Sequence, residues 1–151
     1  MKNETVGIEE FMTGTIREYA FHDTDLRRVE IVRDGVKLVF PEGIYQTDEH
    51  GKELFLTPSC EIVLRIRDFD PANVWEHVSV LKKVRKKVSD LAFSAFATRV
   101  EKDAFRIYMQ YCSIFSSGLL FKGEVGKIDV EWEITEIESV SLRFVDESEL
   151  A

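Results

Sequence analysis

The chain has 151 residues, a net charge of −8, and a hydrophobic fraction of 44% that includes 11 phenylalanines. That length gives one domain with ample material for a core, and the composition excludes a disordered chain. The acidic balance argues against non-specific binding to nucleic acid or anionic lipid, and a basic protein is the partner that such a surface would attract.

Other classes fall away on composition. Cys60 and Cys112 lie far apart and form no CxxC pair, so both read as reduced core thiols in a cytosolic protein rather than a disulfide. No apolar run approaches the roughly 18 residues of a membrane span. The opening MKNETVGIEEF carries no apolar signal region, which gives no reason to expect export.

In chain order, residues 1–20 read as a cover segment. A short helix is predicted over 6–13 with Ile8, Phe11 and Met12 on one side, and Ile16, Tyr19 and Phe21 would close an end of the core. From His22 to Phe40 the pattern predicts a β-hairpin with a type I′ turn at Asp34-Gly35. That turn would set Ile31 against Leu38 and Val29 against Phe40. Val29, Ile31, Leu38 and Phe40 then share one face, and Arg28, Glu30, Val32, Lys37 and Val39 share the other. Pro41 suits the strand end because it has no N–H for a ladder. Residues 41–59 read as loop with a short strand at Glu53–Leu56.

Cys60–Arg67 is a strand by alternation, with Cys60, Ile62, Leu64 and Ile66 pointing one way. Residues 74–91 admit two readings. As a helix, Val74, Val78, Leu81, Val84, Val88 and Leu91 share a side, and Asp70-Pro71 resembles a helix start. As a strand, 76–84 offers several β-branched positions. A helix of two or three turns is predicted near Asp90–Val100. Beyond Lys102-Asp103 the pattern is β throughout. Phe105, Ile107, Met109 and Tyr111 alternate with Arg106, Tyr108 and Gln110; Leu119–Val125 and Ile128–Ile134 follow; Val140, Leu142 and Phe144 close the fold before a polar tail at 146–151. The expected class is α+β, a single domain of mainly antiparallel sheet with one or two helices.

The residues that invite a chemical reading each have a plainer one. His22-Asp23 resembles a metal-ligand pair, yet only His50 and His77 remain to complete a set, so Asp23 reads as a turn cap and His22 as locally hydrogen-bonded, with binding as the second role and no metal expected. Asp68 and Asp70 read as turn residues, since nothing like a calcium loop surrounds them. Asp129, Glu131 and Glu133 line one strand face, either as solvated acids or as a binding strip. The bases Lys82, Lys83, Arg85, Lys86 and Lys87 read as a solvated turn or as partners of that acidic strip on a neighbouring strand. Ser113, Ser116 and Ser117 have no nearby His to activate them. There is no P-loop, GxGxxG, GxSxG or HExxH. No catalytic residue and no cofactor is therefore expected.

Three stretches, FHDTDLRRVEI…VKLVF, HVSVLKKVRKKVSDLAFSAFA and FRIYMQYCSIFSSGLLFKGEV, together resemble a group of small uncharacterised bacterial proteins, among which immunity proteins of toxin systems occur. The resemblance implies an α+β sheet with 76–84 as a strand. It carries over no active-site residue, though Gln110-Tyr111-Cys112-Ser113 is its most distinctive part.

The leading expectation is thus a non-enzymatic, cytoplasmic, acidic binding protein of the immunity-inhibitor type. The alternative is a small-molecule binding or catalytic domain with a pocket near His22, Tyr108 and Tyr111. Self-association through an edge strand is a third reading.

Overall fold

Period-two alternation runs through almost every segment of this chain, and the consequence is sheet. The computed structural model describes residues 4–6, 19–48, 50–113 and 117–145. The strands are β1 (Glu4–Val6), β2 (Tyr19–Ala20), β3 (Thr24–Leu26), β4 (Arg28–Val32), β5 (Gly35–Phe40), β6 (Tyr45–Thr47), β7 (Glu53–Leu56), β8 (Cys60–Ile66), β9 (Val78–Val84), β10 (Lys87–Asp90), β11 (Phe105–Ser113), β12 (Gly118–Val125), β13 (Ile128–Ile134) and β14 (Ile137–Phe144). A 3₁₀ turn covers Val74–Glu76, and α1 (Phe93–Asp103) is the single α-helix among the described residues. Of the helix expected over 6–13, Val6 is instead the last residue of β1; the rest of it, with Ile8, Phe11 and Met12, lies outside the described residues, as do Ile16 and the tail at 146–151.

The strands form an antiparallel five-stranded sheet, β1-β14-β8-β5-β4, an antiparallel six-stranded sheet, β10-β9-β13-β12-β11-β3, and a small sheet, β2-β6-β7. The result is a mainly-β domain with one α-helix among the described residues, the coarser part of the expected class. The apolar faces of the two large sheets meet in one core. Phe21 joins them, its ring 5.7 Å from Phe40 of the five-stranded sheet and 5.3 Å from Phe121 of the six-stranded one. Trp132 continues the contact from Phe121 to Phe96 of α1, at 5.2 Å each way. Each fully buried aromatic of this kind removes a large apolar area from water, and tilted or offset rings add to that burial.

The first hairpin keeps its predicted faces but not its register. Val29 lies opposite Leu38 and Ile31 opposite Val36, so the loop is Arg33-Asp34 rather than Asp34-Gly35. The slip is an even number of residues, which leaves every side chain on its expected face. Neither Asp34 nor Gly35 adopts a positive φ. Gly35 is instead the place where two backbones come close, since a Cβ there would sit 1.9 Å from the Leu64 carbonyl oxygen on β8. The I′ geometry occurs elsewhere, at Arg85 (φ 51°) and Lys86 (φ 69°) between β9 and β10. Residues 74–91 therefore resolve as a 3₁₀ turn and two strands, with 78–84 in the strand read for 76–84. The Glu53–Leu56 strand, the helix after Asp90 and the strand over 128–134 also form, and the strand read over Cys60–Arg67 forms over Cys60–Ile66, with Arg67 in the turn that follows.

The alternation written for β11 breaks midway. Ile107 pairs with Gly123, but Met109 pairs with Lys122, so Tyr108 is an extra residue that faces no partner on β12. This is a β-bulge, and it reverses the in–out pattern beyond it. Phe105 and Ile107 are fully buried as expected, but Met109 and Tyr111 do not continue their side; they turn out to solvent. The slot opposite the bulge is Gly123, where a Cβ would meet the Arg106 carbonyl oxygen at 1.9 Å.

Candidate functional site

Because of the bulge, Tyr108, Met109 and Tyr111 all lie on the outer face, exposed at 49%, 48% and 45%. Tyr108 donates to Glu124 Oε2 at 3.4 Å, and Tyr111 donates to Met109 Sδ at 3.7 Å. Lys122 Nζ lies 5.7 Å from the Tyr111 ring centroid, within cation–π range, and 3.4 Å from Glu131. Partial desolvation, and then the Glu124 carboxylate, push the Tyr108 phenol above its ordinary value.

Two grooves flank this ridge. One, of about 460 Å³, is lined by His22, Tyr108, Met109, Tyr111 and residues of the small sheet. The other, of about 350 Å³, is lined by Leu81, Val88, Lys82, Lys83, Asp129 and Glu131, together with Tyr108 and Met109. The pocket anticipated around His22, Tyr108 and Tyr111 thus has a physical counterpart. Its chief polar neighbours come from elements that sequence spacing did not connect.

The acidic strip lies where alternation put it. Asp129 and Glu131 are exposed and Glu133 half-buried on β13. The basic run stands beside it, because β9 is the neighbour of β13 and Lys83 lies opposite Asp129. Arg85 and Lys86 form the exposed turn. The turn reading fits Arg85 and Lys86, and Lys83 is a cross-strand neighbour of Asp129, while the ion pair of Glu131 is with Lys122 of β12; the strip is part of a mixed-charge face rather than a purely negative one.

His22 and Asp23 sit apart from that strip, between β2 and β3. His22 Nε2 pairs with Glu53 Oε1 of β7, and the imidazole stacks on Tyr45 with centroids 6.1 Å apart. Asp23 has φ 59°, and its N–H donates to the Ile107 carbonyl at 2.7 Å. His22, Asp23 and Glu53 form a cluster whose ligand-type atoms lie within 4.8 Å of one another. Glu53, Met109 and Lys122 had no sequence signal as site residues: Glu53 is carried to His22 by the small sheet, and Met109 is turned out by a bulge that alternation cannot reveal.

Elsewhere, Asp68 (φ 52°) and Asp70 are turn residues. Asp70 accepts from Asn73 Nδ2 at 2.7 Å and Ala72 N at 2.9 Å, and these bonds, the Asn73 side chain first, hold its carboxyl below the usual range. Both cysteines are free, with Cys60 buried and Cys112 half-buried. Ser113's side chain and Ser116 lie outside what is described. No described helix is long and apolar enough to cross a membrane.

No protein-family model, curated protein or solved structure matches this chain.

Proposed function

We propose that this is a non-enzymatic protein-binding domain that engages a basic partner through the outer face of its six-stranded sheet. The observation that carries the reading is the bulge at Tyr108, which presents two tyrosines and a methionine among charged neighbours. Aromatic and Met anchors inside a polar rim are the composition of interface centres, where a few such side chains carry most of the binding energy. The net charge of −8 would steer a cationic partner to the protein. The cytoplasmic immunity-type inhibitor is the particular form we favour, on the resemblance noted above together with the net charge of −8.

The test compares the wild type with a Tyr108→Ala, Met109→Ala, Tyr111→Ala triple variant. Each is used to retain proteins from its native host at low and high salt. The wild type should hold one basic protein, release it at high salt, and lose it in the triple variant. Identical profiles for the two proteins would end the proposal. If the neighbouring gene encodes a toxin, co-expression of the wild type should restore growth and the triple variant should fail to.

The groove of about 460 Å³ favours a second reading, a small-molecule site bordered by His22, Tyr108 and Tyr111. Its size lies within the range of ligand pockets. That reading predicts saturable ligand binding weakened by His22→Ala, whereas the first predicts none.

A further inference from the structure

We propose that His22, Asp23 and Glu53 form a site for a divalent metal ion of the zinc class, beside the groove that His22 lines. The proposal is independent of the protein-binding reading, since it uses none of the Tyr108–Tyr111 ridge.

The donor set is one imidazole nitrogen and two carboxylates, with the candidate atoms within 4.8 Å of one another. A tetrahedral ion with bonds of about 2.0–2.2 Å needs its ligands roughly 3.4 Å apart. His22 Nε2 and Glu53 Oε1 are in direct contact, so side-chain rotations would have to part that pair to admit the ion between them. Three protein ligands with a fourth position left open is a common arrangement for zinc, whereas calcium and magnesium favour oxygen-only shells with more ligands. The imidazole therefore selects the borderline, nitrogen-accepting ions.

The three side chains come from two pieces of backbone, the β2–β3 connection that carries His22 and Asp23 and the start of β7 at Glu53. Asp23 is fixed by its left-handed φ of 59° and its hydrogen bond to Ile107 O at 2.7 Å. Glu53 is placed by its register opposite Thr47 in the small sheet. The loop before it is closed by Asp48, whose Oδ1 accepts from Lys52 N and His50 N at 2.8 Å each. Those bonds, that of Lys52 first, hold the Asp48 carboxyl below its usual range. Tyr45 supports one face of the His22 ring. A ring already supported on one face loses less freedom when it takes up a metal ion.

Access is the second requirement. The His22 and Glu53 side chains are each 34% exposed, so an ion can enter and water can complete its shell. The groove of about 460 Å³ adjoins His22 and leaves room for an exogenous ligand at the open position.

The experiment uses full-length, tag-free protein stripped with chelator and titrated with Co²⁺, then Zn²⁺. Visible absorption reads the cobalt environment and calorimetry reads the stoichiometry. The proposal expects one equivalent of Co²⁺ with an intense visible band, displaced by Zn²⁺. Affinity should fall by roughly tenfold or more in both His22→Ala and the near-isosteric Glu53→Gln. His50→Ala and His77→Ala should bind as the wild type does. Circular dichroism confirms that each variant is folded, and Glu53→Gln keeps the test decisive if His22→Ala is not. Absence of saturable binding at micromolar metal, or binding lost in His50→Ala and kept in Glu53→Gln, would overturn the site.

Discussion

The two faces of the six-stranded sheet carry similar side chains to different ends. On the inner face Phe105, Phe121 and Trp132 are fully buried and pack around Phe96. On the outer face Tyr108, Met109 and Tyr111 stay about half exposed; the Tyr108 hydroxyl meets Glu124, the Tyr111 hydroxyl meets Met109, and Lys122 lies over the Tyr111 ring. One extra residue in β11 separates these fates. Upstream of it apolar residues stabilise the fold; downstream, residues of comparable size are left at the surface. An apolar side chain therefore says little about its role until its face is known.

The largest expected effect lies inside. Trp132→Ala should cost about 3–5 kcal/mol, seen as a lower urea midpoint. Trp132→Phe should cost much less, because Trp132 Nε1 is buried with no hydrogen-bond partner among the described residues and its loss leaves nothing unsatisfied. Equal losses in the two variants would mean that the indole N–H is satisfied in solution.

Next comes the bulge itself. Gly123→Ala would push a methyl against the Arg106 carbonyl, and overpacking of this kind costs about 1–3 kcal/mol. The same measurement on Gly35→Ala tests the corrected hairpin, since Leu64 O stands in the way there. A Gly35→Ala variant as stable as wild type would refute the close approach.

Burial sets chemistry as well as stability on the inner side. Desolvation pushes the Cys60 thiol up from 9.0 to about 12, against a small opposing hydrogen bond from Thr57. A thiol held neutral by folding adds stability that is fully present below pH 9 and lost as pH rises from about 9 to about 12. Cys60→Ala should flatten the alkaline fall in thermal midpoint across that window. An unchanged alkaline limb would assign the fall to other groups.

The smallest effect on stability belongs outside. Each of Tyr108→Ala, Met109→Ala and Tyr111→Ala should shift stability by no more than about 0.5 kcal/mol, while together they abolish partner binding. A large loss of stability in any one would make the outer face structural and remove the contrast.

How much of this was readable beforehand follows the same divide. Alternation is a local signal, so β8, β13 and the faces of the β4–β5 hairpin could be read from residue order alone. The hairpin's register could not, because it depends on Gly35 meeting β8, a contact between distant segments. In β11 the letters FRIYMQYC alternate without interruption, and only the pairing with β12 shows that Tyr108 has no counterpart. Glu53 was legible as the start of a short strand but not as the neighbour of His22, since the small sheet brings them together. Asp129, Glu131 and Glu133 were legible as an exposed strip, while the lysines beside it depended on which strand would become the neighbour of β13.

Hydroxyl-radical footprinting of the free protein, read residue by residue along 105–112, tests the outward turn at Tyr108 most directly. Tyr108, Met109 and Tyr111 should be modified readily, with Phe105 and Ile107 protected. Strong labelling of Tyr108 alone, with Met109 and Tyr111 protected like Phe105, would mean an unbroken alternation and no presented ridge, and the contact face proposed for this protein would be lost with it.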